Sequence, residues 1–161
     1  MTHKEIEIIL ARINEELGNI SLLMDELKSK RLLGDKDMVS IQGDSFFMRS
    51  IGSVLHDFYV AVENTLRIIC SEIDEKIPEG PQWHVLLLKQ ATYEINGIRP
   101  AVISKRTAQK LDKYRSFRHV FRNVYGFHLD LSRINELLLE LPETVDLFTN
   151  DLKCFTQLIK S

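Results

Sequence analysis

Apolar residues recur along this chain at alternating steps of four and three, the spacing that keeps side chains on one face of an α-helix. In the first segment Ile6, Leu10, Ile13, Leu17, Ile20, Met24 and Leu27 form such a seam, with charged positions between them. A polar stretch bounded by Gly34 and Gly43 interrupts the pattern. Asp44 then offers a side-chain oxygen to the unpaired N–H groups of a second helix. Its stripe, Phe47, Ile51, Val54, Phe58, Val62, Thr65, Ile69 and Ile73, sets its end near Ile73. The turn-forming IPEGPQ separates it from a shorter third helix expected over Trp83–Glu94, and NGIRP is the next break.

Ser104 is placed to cap a fourth helix that ends near Gly126, and Asp130 to cap the last. In that last segment Ile134, Leu138, Leu141, Val145, Phe148, Leu152, Phe155 and Ile159 keep the same alternation. The register passes through Pro142 unbroken, so a kink is expected there rather than a separate element. No segment alternates with the period of a strand, and no internal repeat is visible. The expectation is an all-α antiparallel bundle of four to five helices, one domain over residues 1–161.

A chain of 161 residues with 44% hydrophobic content can bury a real core. Its apolar runs are short, and MTHKEIEIIL lacks the basic-then-apolar layout of a secretory leader, so no membrane association and a cytoplasmic location are expected. Cys70 and Cys154 each sit in an apolar helical pattern, which suits two buried reduced thiols. No set of His, Cys or carboxylate residues has metal-ligand spacing and no Gly-rich phosphate loop is present, so neither a metal nor a cofactor is called for.

Charge changes the picture. Between Arg99 and Arg122 eight basic residues face one acid, Asp112, a local +7 that leaves −9 for the rest of a chain whose net charge is −2. The centre of this segment is YRSFRHVFRNVYGFHLD, residues 114–130. At about 100° per residue, Tyr114, Phe117, Val120, Phe121 and Val124 fall on one buried stripe. Arg115, Arg118 and Arg122 make a ridge, with Tyr125 on one edge and His119 and Asn123 on the other. Such a ridge is either a helix face answered by acids of neighbouring helices or a site for phosphate, which the planar guanidinium grips with two parallel hydrogen bonds. Elsewhere, Glu63 and Arg67 are spaced for an intrahelical pair, although Glu63 could brace an arginine of the fourth helix instead. Trp83 is expected as a core anchor and His84 as a capping or surface residue. His56 and Asp57, as sequence neighbours on a helix, are not expected to work as a base and its orienting acid.

Taken together, VLHDFYVAVENTLRII, WHVLLLKQ, IRPAVIS and FRHVFRNVYGFHLD resemble the HepT-like branch of the HEPN superfamily. That resemblance implies a dimeric helical toxin that cleaves RNA without metal and is encoded beside a minimal nucleotidyltransferase antitoxin. The family motif is an arginine, a histidine five places on and a tyrosine two further. Arg118 and Tyr125 match it, but Asn123 holds the histidine position. An amide can hydrogen-bond a hydroxyl or a phosphate but cannot act as a base at neutral pH, so the resemblance implies catalysis that is weak or lost at Asn123. Arg115, Arg118, His119 and Arg122 are expected to contact RNA phosphate, Arg118 and Asn123 to be the catalytic positions, and Glu63 to support the site. His119, one turn before Asn123, is a second candidate for proton transfer. The resemblance also implies that the partner transfers AMP onto Tyr125. Non-catalytic binding is the alternative.

Overall fold

The computed structural model describes residues 1–33 and 44–161; the polar stretch from Gly34 to Gly43 lies outside them. Among the described residues there are five α-helices: α1 His3–Ser29, α2 Ser45–Glu72, α3 Trp83–Gln90, α4 Lys105–Asn123 and α5 Leu131–Lys160. A short 3₁₀ turn over Gly126–His128 joins the last two. The helix starts follow from the capping residues. Asp44 accepts from the Phe47 N–H, Ser104 from Thr107 and Asp130 from Ser132 and Arg133. At the first helix Thr2 and Glu5 cap each other's backbone N–H reciprocally.

The order of partners shows how the helices run. From Arg106 through Lys110 to Lys113, ion-pair partners on α5 fall from Glu143 to Glu136, so α4 and α5 are antiparallel. Arg12 pairs with Glu72 while Glu16 accepts from Asn64, so α1 and α2 are antiparallel as well. The chain is thus an all-α bundle. No helix among the described residues is long and apolar enough to cross a membrane.

The α2 helix packs against each of the other four. Its burial therefore exceeds the single stripe read from the sequence, for Leu55, Tyr59, Leu66, Ile68 and Cys70 are buried as well. Tyr114 of α4 shows how the helices lock. Its ring meets Phe58 edge-on at 5.1 Å, and its hydroxyl donates to the Leu137 carbonyl at 2.7 Å. Burying an aromatic ring of this size stabilises by roughly 1.5–3 kcal/mol, and the hydrogen bond removes the cost of burying the hydroxyl. The α5 seam is inside from Ile134 to Phe155, and the helix continues through Pro142.

Three expectations need correction. The third helix stops at Gln90 rather than Glu94, because Thr92 and Tyr93 tighten into bonds to Lys89 and Gln90 and the Thr92 hydroxyl takes the Lys89 carbonyl. The fourth ends at Asn123, where the Asn123 amide donates to the His119 carbonyl at 2.6 Å and Val124 turns extended. Cys154 is exposed, while Cys70 is buried.

Candidate functional site

The second half of α4 forms one wall of a cleft of about 320 Å³, and α2 and the start of α3 close it. Arg115, Arg118, His119, Arg122 and Asn123 line it from α4, Tyr59 and Glu63 from α2, and His84 from α3. Residues spaced three and four apart on α4 share this face because that is the helical repeat. The structure therefore brings together Arg115, Arg118, His119, Arg122, Asn123 and Glu63, and leaves Tyr125 outside the lining.

Glu63 is the organising group. Its side chain is only 6% exposed, and an isolated buried carboxylate is costly unless paired. One oxygen accepts from Arg118 Nη1 at 2.7 Å and the other meets His84 Nδ1 at 2.7 Å. The expected pair with Arg67 does not form. Arg67 instead lies over the Trp83 ring, 5.4 Å from its centroid, since Glu63 faces the bundle interior and Arg67 is exposed. His84, read as a surface or capping residue, is drawn to the carboxylate. Its ring packs at a tilt of 32° against Trp83, with 3.5 Å between centroids, and Trp83 is partly buried against the core.

The arginines differ in how far they are answered. Arg115 Nε donates to Asp112 at 2.6 Å, one turn back on the same helix. Among the described residues Arg118 makes one bond, to Glu63, and its buried Nε has no hydrogen-bond partner. Among the described residues Arg122 has no ion pair, and it is exposed at the cleft rim. Burial pushes the pKa of the Tyr59 hydroxyl well above the usual tyrosine range, and the Glu63 charge adds to the effect, so Tyr59 stays neutral. Asn123 uses its amide donor on its own helix, and it cannot take a proton. Among the described residues, no group of three or more His, Cys, Asp or Glu side chains is placed to hold a metal ion.

Helical ending at Asn123 overturns the wheel for the residues beyond it. Val124 is not on a buried stripe; Tyr125, read at the edge of the ridge, is 71% exposed, with its ring edge-on to His128 at 6.2 Å. Val120, still helical, is exposed as well. Arg49 of α2, which sequence reasoning passed over, runs across Gly126 beside Tyr125: a Cβ at Gly126 would lie 2.1 Å from its side chain. The small residue at position 126 was the signal that something crosses there. His56 and Asp57 also meet, Nδ1 to Oδ1 at 3.2 Å, contrary to the wheel argument, because side chains of neighbouring residues can bend toward each other at the surface.

The rest of the basic segment is largely structural. Arg106, Lys110 and Lys113 pair with Glu136, Glu140 and Glu143 of α5. Arg99 is buried against Asp74 and the carbonyls that follow α3.

Comparison with known proteins agrees with the HepT-like resemblance. A family model described as HepT-like protein matches residues 50–159, which contain Glu63, His84 and the whole α4 cluster. Comparisons with curated proteins and with solved structures returned no match. The match spans well over half of the chain, which therefore belongs to the HepT-like family of the HEPN superfamily.

Proposed function

We propose that this HepT-like chain is the toxin of a toxin–antitoxin pair, an endoribonuclease whose cleft holds RNA between α4 and α2, with a minimal nucleotidyltransferase as its antitoxin. The observation that carries the reading is the convergence of Arg115, Arg118 and Arg122 on one cleft, with Arg118 fixed from behind by a buried carboxylate. A guanidinium held in place by packing is pre-aligned for a phosphate, and its unused donors can stabilise the charge that grows on the phosphate oxygens as the 2′-hydroxyl attacks. Arg118 is the residue placed for this role, with Arg115, His119 and Arg122 as phosphate contacts and Glu63 as support. Asn123 stands beside the phosphate as a hydrogen-bonding group. The reaction needs no metal, since the attacking hydroxyl belongs to the substrate itself.

A homodimer joined through the α4 faces fits the exposed Val120 and Val124, and it would set two clefts side by side, doubling the positive field. Tyr125, exposed on the turn after α4, is the candidate for modification. Its oxygen would attack the α-phosphate of ATP bound to the partner and release pyrophosphate. The new phosphate charge would then compete with RNA for the arginines.

The test is cleavage of single-stranded RNA in EDTA by the unsubstituted chain, Asn123→His and Arg118→Ala. Cleavage that rises with Asn123→His and disappears with Arg118→Ala is the expected result. Absence of cleavage in all three, with folded protein, would overturn the reading. A non-catalytic binding module is the second reading, favoured by the Asn123 amide being tied to the His119 carbonyl; it predicts RNA retention without cleavage.

A further inference from the structure

Resting on the nuclease reading, we propose that His84 is the general base of this cleft and performs the proton transfer for which Asn123 is unsuited. Three observations lead to it. A carboxylate has no proton to give, so in the contact with Glu63 it is Nδ1 of His84 that carries the hydrogen. In neutral imidazole the lone pair then sits on Nε2, and none of the hydrogen bonds among the described residues involves that atom. The ring is also fixed in angle. Trp83 packs against it at a tilt of 32°, with 3.5 Å between ring centroids, and Trp83 in turn lies beneath the Arg67 guanidinium.

A base whose second nitrogen is oriented by a buried acid is the arrangement that proton-transfer chemistry needs. His84 is partly exposed, with its side chain 34% accessible at the cleft. The same Glu63 that orients it also holds Arg118, so base and phosphate grip share one carboxylate and keep a fixed separation. His119 lacks this support: among the described residues its side chain has neither a hydrogen bond nor an ion pair, and nothing fixes its tautomer.

In the step itself, Nε2 takes the 2′-hydroxyl proton as that oxygen bonds to the adjacent phosphorus. The bond from phosphorus to the 5′-oxygen breaks, and the departing oxygen takes a proton from water. The hydroxide so formed is neutralised by the proton on the imidazolium, which Glu63 has stabilised meanwhile. The products are a cyclic phosphate and a 5′-hydroxyl end.

The experiment is cleavage of a fluorescently labelled single-stranded RNA in EDTA by the full chain. It is compared with Arg118→Ala, His84→Asn, His84→Ala and Asn123→His, each checked for RNA binding and thermal unfolding. The amide of His84→Asn keeps a donor for Glu63 but takes no proton. The unsubstituted chain is expected to cleave, and His84→Asn to lose about 10²-fold or more in rate with binding and unfolding unchanged. Free imidazole is expected to restore cleavage to His84→Ala and not to Arg118→Ala, a rescue that a structural role for His84 would not give. Full activity in His84→Asn, or loss in both His84 variants together with stability and without rescue, overturns the proposal. So does an inactive unsubstituted chain beside an active Asn123→His, which leaves the nuclease reading standing. Inactivity of every protein, Asn123→His included, overturns both.

Discussion

Among the described residues, Arg99 and Arg118 each meet a buried carboxylate, and they are satisfied to different degrees. The Arg99 side chain is wholly inaccessible. It donates through Nε and Nη2 to Asp74, and through Nη1 and Nη2 to the carbonyls of Tyr93, Pro100 and Gln90. Arg118 is 15% accessible, spends one donor on Glu63 and, among the described residues, leaves its Nε without a partner. Arg99 is saturated by its own chain and clamps the turn after α3. Arg118 holds unspent donors at a cleft, as the proposed phosphate contact requires. The contrast shows why a basic segment is a poor guide to function by itself: the same residue type is a structural tie at one end and a candidate ligand at the other.

Substitutions can break or sharpen this contrast. The largest effect is expected from Arg99→Ala, which leaves Asp74 buried without its cation and costs about 3–5 kcal/mol, measured by urea unfolding. Cys70 sharpens the same point. Burial first, and the Asp74 charge after it, push its thiol up to about 12, so in the native chain Cys154 alone should react with a thiol reagent at neutral pH. Arg99→Ala should add Cys70 to the labelled set as that corner opens.

Next comes Arg118→Ala. Here the expected loss of stability is smaller, about 1–3 kcal/mol, because His84 remains to answer Glu63. Metal-free RNA cleavage should fall by about 10²- to 10³-fold. Equal losses of stability at the two arginines would erase the distinction. Gly52→Ala probes the wall behind α4, since its new Cβ would stand 2.7 Å from Phe121 Cε2. Displacing that ring should cost about 1–3 kcal/mol in thermal or urea unfolding.

The smallest effect belongs to the exposed pairs. The Lys113 hydrogen bond holds the Glu140 carboxyl below its ordinary range, so this contribution is present above that range and is lost as pH falls through the lowered value. Glu140→Gln should therefore make the acid side of the stability–pH curve shallower, with little change at neutral pH. Added salt should have a similar small effect, as for any screened surface pair.

Much of the fold was legible along the chain. Asp44, Ser104 and Asp130 begin their helices where a short oxygen-bearing side chain precedes an apolar period, and the α5 seam is buried along most of its length. Membership of the HepT-like family was equally legible, since the stretches that carry the resemblance lie within the matched residues 50–159. Helix ends were less so, because they depend on competing hydrogen bonds. The Asn123 amide closing on His119, and Thr92 closing on Lys89, ended α4 and α3 before the apolar pattern did.

Local chemistry determined the helices, their starts and the positive segment, since caps, hydrophobic period and charge are properties of a few neighbouring residues. Tertiary structure decided which charges are spent. Whether Glu63 would answer Arg67 or Arg118, and whether His84 would lie at the surface or on a carboxylate, depended on α2 sitting at the centre of the bundle. From there Glu63 faces α4 and the start of α3 together. Pairings between residues 21 and 55 positions apart have no periodicity to betray them. They follow from which helix faces meet, and in this protein that meeting makes the cleft.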